Sequence, residues 1–186
     1  MELDLSLPDS PEKLLDAVAG SLGSPSILVN NASHSTRDSY EGLDAATLDA
    51  HYAVNLRATA LLSVGFARRY GGGQGGRIVN LTSGQSLGPM PGEIAYAATK
   101  GAIEALTVTL AAEVGHKGIT VNAGNPGPTN TGWMTEELER ELSTRFPAGR
   151  VGEPEDAARL VAFLTGDEAR WITGQILHSE GGFLRS

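Results

Sequence analysis

Gly76-Arg77-Ile78-Val79-Asn80-Leu81-Thr82-Ser83 is a short aliphatic run that stops at two hydroxyl residues. Tyr96-Ala97-Ala98-Thr99-Lys100-Gly101-Ala102 opens a long helical pattern thirteen residues after that serine. Adjacent Ile and Val in so short a run read as a strand buried on both faces. Ile103, Leu106, Leu110 and Val114 recur every three or four positions, which predicts an amphipathic helix over about 95–115. A buried strand leading into a long helix is half of a parallel βαβ unit.

The same alternation extends outward in both directions. Ser26-Ile27-Leu28-Val29-Asn30, Ile119-Thr120-Val121-Asn122 and Gly174-Gln175-Ile176-Leu177-His178 are three more strand candidates. Ser10-Pro11-Glu12-Lys13 reads as an N-cap, a proline in the first turn and an acidic start; that helix runs to about Ser21, where Gly20 and Gly23 end it. A helix is predicted over 45–70 on Leu48, Val54, Leu61, Leu62 and Phe66. Another begins at Glu153-Pro154-Glu155-Asp156 and carries Leu160, Val161, Phe163 and Leu164. The fold class is therefore α/β, a parallel sheet with helices on both faces and right-handed crossovers, in a single domain over 1–186. Residues 125–150 break the rhythm with Pro126, Gly127, Pro128 and Gly132 and then an acidic helical stretch, Glu136 to Glu141. A long connection after the carboxyl end of a strand is the usual place for a binding loop or lid.

Composition narrows the function. The 186 residues carry 14 basic and 22 acidic side chains, a net charge of −8, and are 40% hydrophobic. That balance fits a globular domain and disfavours binding nucleic acid through bulk charge. With no cysteine, disulfides and thiolate metal sites are excluded, and a cytoplasmic setting is expected. The start, Met1-Glu2-Leu3-Asp4-Leu5-Ser6, has no basic and apolar leader pattern, and no run reaches the ~18 apolar residues of a membrane span. The four histidines, His34, His51, His116 and His178, have no metal spacing and are expected to be surface or packing residues. The sequons at Asn31 and Asn80 fall at strand ends and are discounted. Trp133 and Trp171 either line a pocket or pack.

Gly71-Gly72-Gly73-Gln74-Gly75-Gly76 contains the pattern G-x-G-x-x-G. A dinucleotide fingerprint follows a strand and opens a helix, whereas this run ends a helix and precedes a strand, so it reads as a surface connection. Tyr96 and Lys100 carry more chemistry. Four residues apart on a helix, they share a face. An ammonium near a phenol lowers the phenol's pKa and suits it to acid–base work. Ser83 falls at the carboxyl end of a strand, where open α/β sheets bind ligands. The plain alternative is a tyrosine and a lysine on the outside of an amphipathic helix.

Arg77 to Ser83 together with Tyr96 to Ala102 resembles the short-chain dehydrogenase/reductase family, and other segments match in order. Ile27-Leu28-Val29-Asn30-Asn31-Ala32 is similar to the family's Asn-Asn-Ala segment, and Val54-Asn55-Leu56 to its helix asparagine. Asn125-Pro126-Gly127-Pro128-Thr129 is similar to its nicotinamide loop, and Ile172-Thr173-Gly174-Gln175 with Gly181-Gly182 to its final strand. The likeness covers nearly the whole chain and is nearest to the β-ketoacyl carrier-protein reductases. It implies a three-layer Rossmann-type sandwich and hydride transfer between NADP or NAD and a small carbonyl or alcohol substrate. Asn55, Ser83, Tyr96 and Lys100 would form the catalytic set: Tyr96 the general acid or base, Ser83 positioning the carbonyl, Asn55 holding a relay water. Lys100 would lower the pKa of Tyr96, and with it would bind the nicotinamide ribose. Asp4 and Leu5 would lie near adenine, Asn31 and Ala32 beside the adenosine ribose, and Pro126, Gly127, Thr129 and Thr131 at the carboxamide. No membrane or nucleic-acid partner is implied.

Two departures and one assembly expectation accompany the resemblance. Ser33 stands where the family commonly has glycine, and Gly124 where an apolar residue is common. Met1 aligns near the family's third strand, so its opening strand, Thr-Gly-x-x-x-Gly-x-Gly loop and helix are expected to be missing. Cofactor binding would then be weak or lost, and the strand at 27–30 would become an exposed edge. The reading divides accordingly between an oxidoreductase and a catalytically silent scaffold or association module. A homo-oligomer, tetramer or dimer, is expected through the helices at 45–70 and 95–115. The second carries Ala97, Ala98, Ala102, Ala105, Ala111 and Ala112, small side chains that allow close helix approach; helix propensity alone would also account for them.

Overall fold

In the computed structural model, residues 2–72 and 75–184 are described. Gly73 and Gln74, at the centre of the glycine run, lie outside the described residues. The chain runs α1 (Ser10–Leu22), β1 (Ile27–Asn30), α2 (Ala45–His51), a π-helical segment (Tyr52–Ala58), α3 (Thr59–Arg69), β2 (Gly76–Leu81), α4 (Ile94–Val114), β3 (Ile119–Asn125), α5 (Glu136–Ser143), α6 (Pro154–Thr165) and β4 (Ile176–His178). Among the described residues the four strands form one parallel sheet in the order β1-β2-β3-β4.

Alternation along β2 builds the two cores. Ile78 turns to one face, where it joins Leu15 of α1, Leu62 and Phe66 of α3, and Leu110 and Val114 of α4. Val79 turns to the other and packs with Leu164 of α6 and Ala169. The sheet is thus the middle of three layers, as expected. β1 is the uncovered edge: Leu28 reaches the first core, while Ile27 and Val29 stay 46% and 40% exposed.

Polar side chains on the first face fix the register. Asn30 and Asn80 are Cα partners. Asn30 Nδ2 donates to Asn80 Oδ1 at 2.8 Å and to Ser63 Oγ at 3.0 Å. Asn80 Nδ2 donates to Thr107 Oγ1 at 2.9 Å, and Thr107 in turn donates to Ile103 O. This ladder ties α3, β1, β2 and α4 together, and a one-residue slip of β1 would turn Asn30 to the opposite face.

Three elements depart from the sequence reading. The helix expected over 45–70 is interrupted by seven π-helical residues, a feature that recurs at functional sites; they carry Asn55, which is 0% exposed. β3 continues to Asn125 because Ala123, Gly124 and Asn125 pair with β4, so burial between two strands overrides their weak strand preference. β4 starts two residues late because Gly174 turns at φ +69°.

Asn80→Ala should destabilise the fold by about 1–3 kcal/mol, the usual cost of stranding buried polar partners. Ser63→Ala should cost less, since Asn30 keeps its bond to Asn80. Urea midpoints of the two variants, at unchanged slope, check the order.

Candidate active site

Three loops leave the carboxyl ends of parallel strands on one edge of the sheet: 31–38 after β1, 82–86 after β2 and 126–131 after β3. α4 closes against the first two. Its N-terminus has no local side-chain cap. Instead the Asp38 carboxylate accepts the first N–H groups of the helix, Ile94 N at 2.6 Å and Ala95 N at 2.8 Å. Asp38 N donates to Gly92 O, and Arg37 pairs with Glu93 at 3.3 Å. A carboxylate here is favoured by the free amides and by the helix dipole. Sequence reading missed Asp38 because the amides it caps are 56 and 57 residues away, beyond any local capping pattern.

Tyr96 follows one residue later, and Lys100 one turn beyond. Lys100 is 2% exposed. Its Nζ donates to Leu81 O, the last residue of β2, at 2.8 Å and sits 5.4 Å from the centroid of the Tyr96 ring. Burial pulls the lysine pKa down to about 8. Burial pushes the Tyr96 phenol up; hydrogen bonding from the Ser83 and Ser33 side chains works against this, and the charge of Glu93 adds to it. The net shift of Tyr96 is therefore upward and not the lowering expected, because loss of solvent dominates at the phenol.

Asn55 is brought to the same place by the π-helical segment. Its Oδ1 accepts from His34 N at 2.6 Å and from Ser33 Oγ at 3.3 Å. Its Nδ2 donates to His34 O at 2.9 Å and to Thr99 Oγ1 at 3.1 Å. Thr99 Oγ1 also reaches Tyr96 O at 2.9 Å. The amide thus has all four of its hydrogen-bonding positions filled by protein. Its side chain holds the 33–34 loop against α4 and is not available to hold the water expected of it. Ser33, noted in the sequence only as a replacement for glycine, places a second hydroxyl between Tyr96 and Asn55. His51 is fully buried, with Nδ1 on Thr47 O and Nε2 accepting from Thr36 N; it is a packing histidine.

The expected cofactor residues fall into three groups. Asn31 and Ala32 are exposed where β1 ends. After β3, Pro126, Gly127 and Thr129 are half-buried and Thr131 is exposed. Gly127 has φ +65°, and a Cβ there would come 2.5 Å from Glu180 Cβ, so no other residue fits. Thr129 bridges Gly152, and its carbonyl accepts Trp133 Nε1 at 2.9 Å. Trp133 thus packs along this loop, and Trp171 is 95% exposed. Asp4 accepts from Ser6 N, and Leu5 packs against the first core. Among the described residues no His, Asp and Glu cluster could hold a metal, and no helix is long and apolar enough to cross a membrane.

Comparison with known proteins gives the family and the fold. The sequence model of a family described as enoyl-(acyl carrier protein) reductase matches residues 1–184. An uncharacterized oxidoreductase, YjdA, of Bacillus subtilis (strain 168) is 58% identical over 187 residues, all of this chain and 74% of that protein. A Serratia marcescens short-chain dehydrogenase/reductase variant (F98A/F202L) superposes with a TM-score of 0.91 at 33% identity, covering 98% of this chain and 75% of its own. A 4-hydroxyisoleucine dehydrogenase complexed with NADH superposes at 0.88 and 29% identity, covering 100% and 81%. The chain belongs to the short-chain dehydrogenase/reductase family.

Two stability measurements test the site's construction. Asp38→Ala should cost about 1–2 kcal/mol, the usual worth of a helix cap, read as a lowered urea midpoint. Lys100 supplies a pH signature. Its folded pKa of about 8 lies below the ordinary lysine value of 10.5, so between those values the unfolded chain binds more protons. Stability from this group therefore rises with pH across that window, by up to about 3 kcal/mol. Urea titrations at pH 7.5 and 10.5 should show that rise relative to Lys100→Met, and equal pH slopes in the two proteins would refute it.

Proposed function

We propose that the protein transfers hydride between a nicotinamide dinucleotide and a small carbonyl or alcohol substrate, with Tyr96 as the proton donor or acceptor. The observation that carries this reading is the meeting of Ser83 and Tyr96 above the buried Lys100, at the carboxyl edge of a parallel sheet. Family membership and the NADH complex of a structural relative support it.

The residues present fit such a cofactor. Lys100 uses one N–H on Leu81 O, and an ammonium has three, which leaves donors for ribose hydroxyls beside Tyr96. Asn31 and Ala32 would meet the adenosine ribose, Asp4 and Leu5 the adenine, and Pro126, Gly127, Thr129 and Thr131 the carboxamide. When bound, the nicotinamide supplies or takes up hydride at the substrate carbon.

The protein's own residues manage the proton and the developing charge. In reduction, the Ser83 hydroxyl donates a hydrogen bond to the carbonyl oxygen and orients it. Burial keeps the Tyr96 phenol protonated at neutral pH, the form a donor requires. As hydride reaches the carbon, the phenol O–H breaks and its proton goes to the carbonyl oxygen, giving the alcohol and a phenolate. The Lys100 ammonium beside the ring stabilises that phenolate. Asn55 holds the Ser33 loop and Thr99, and so keeps Tyr96 aimed. Oxidation runs the same steps in reverse.

We place self-association on the helices. Leu48, Tyr52 and Leu61, on the path from α2 to α3, and Ile94 and Val108 on α4 are all 40–50% exposed, an apolar surface of the kind that a two-fold interface buries.

Tyr96→Phe should lower kcat for reduction of aldehydes or ketones by about 10²–10⁴, the usual contribution of a general acid. Cofactor absorbance reports the rate, and full kcat in this variant would contradict the assignment.

A further inference from the structure

α4 presents Tyr96, Lys100 and Glu104 at intervals of four residues, one above another on a single face. Lys100 holds the end of β2. Glu104 grips the turn that follows. Its Oε1 accepts from Gln85 Nε2 at 2.6 Å, from Ser86 Oγ at 3.2 Å and from the Thr82 hydroxyl at 3.2 Å. The same Thr82 hydroxyl lies 3.2 Å from Lys100 O. Ser83 therefore stands between two attachments to α4, Leu81 behind it and Gln85 ahead.

The turn's main chain is tied at its two ends, Thr82 N donating to Gly124 O and Leu87 N to Gly84 O, and its side chains converge on Glu104. Gln85 Oε1 is buried without a hydrogen-bond partner among the described residues, a cost that argues the side chain is held by its other end. That end makes the short contact to Glu104, where a carboxylate acceptor strengthens the hydrogen bond. The Ser83 hydroxyl makes only a long contact to Met90 Sδ, at 3.9 Å, besides its action on Tyr96. Its own bonds do not fix where it points; the turn does.

We propose that Glu104 is a positioning residue that locks the 82–86 turn through Thr82, Gln85 and Ser86 and thereby holds the Ser83 hydroxyl against Tyr96. This rests on the reading of Ser83 and Tyr96 as the reacting pair. It assigns to Glu104 no contact with substrate. A glutamate that only solvates the outside of α4 would leave the Tyr96 environment untouched when removed.

The test uses the full 186-residue chain labelled at its four tyrosines, with the Tyr96 ring signal assigned through Tyr96→Phe. Ser83→Ala sets the reference displacement of that signal at neutral pH. Glu104→Ala should displace it in the same direction, and Glu104→Gln, whose amide oxygen still accepts, should return it to the wild-type position. In the reductase assay Glu104→Ala should lower kcat by about 10- to 100-fold, the scale of a misplaced catalytic group, with KM within about twofold and with Glu104→Gln recovering most of the loss. Should Glu104→Ala fail to fold, the Gln85→Ala/Ser86→Ala pair removes two of the three bonds from the turn's side and should displace the signal in the same direction. A Tyr96 signal unmoved by Glu104→Ala, or by the paired variant, while Ser83→Ala moves it overturns the proposal. A wild-type chain that reduces no carbonyl overturns the functional reading instead, and the ring signal still decides whether Glu104 places Ser83.

Discussion

Lys100 carries an ammonium into a place that is 2% exposed, and the hydrogen bond it makes there is to a main-chain carbonyl, Leu81 O. Burying a charge this way is costly unless hydrogen bonds and nearby polarisable groups offset it. The carbonyl at the end of β2 and the face of Tyr96 supply the offset. Both conditions can be met only if α4 lies along the carboxyl end of β2 in one register. That register brings Tyr96 to Ser83, and it brings Thr99 to Asn55. The same burial that lowers the lysine pKa raises the tyrosine's, so one desolvated pocket holds an ammonium with weakened hold on its proton beside a phenol with strengthened hold. A protonated phenol beside a buried cation is the chemical result, the pairing that the proposed proton transfer from Tyr96 would use.

Other contacts keep α4 at that register. Asp38 caps its first turn from the loop after β1. Asn55 clamps the adjacent stretch of that loop to Thr99. The Asn30–Asn80–Thr107 ladder pins the helix to the middle of the sheet. Each joins segments distant in sequence. The apolar cores around Ile78 and Val79 supply the bulk of the burial; these polar ties decide which of many well-packed arrangements is adopted.

Much of this was legible in the sequence. Short Val- and Ile-rich runs alternating with 3.6-period helices were enough for a parallel α/β sheet, since strands buried on both faces have few other readings. That Ser83, Tyr96 and Lys100 come together was legible because a strand end and two helix turns are local features. What the sequence did not show is set by tertiary context. Asp38 caps amides far along the chain. The π-helical turns around Asn55 have the same apolar pattern as an α-helix. The extension of β3 through Ala123 and Gly124 depends on a neighbouring strand. The direction of the Tyr96 shift depends on how deeply the phenol is buried, which helix spacing does not encode.

The central claim is that Ser83, Tyr96 and Lys100 together support hydride transfer to a carbonyl. Following the label from nicotinamide deuterated at both C4 positions, as NADH and as NADPH, into product tests it directly. With a set of simple aldehydes and ketones, the account predicts deuterium on the carbinol carbon of the alcohol formed, in proportion to the cofactor oxidised. Oxidation of the cofactor with no deuterium in the alcohol, or no turnover with any carbonyl offered, would contradict it.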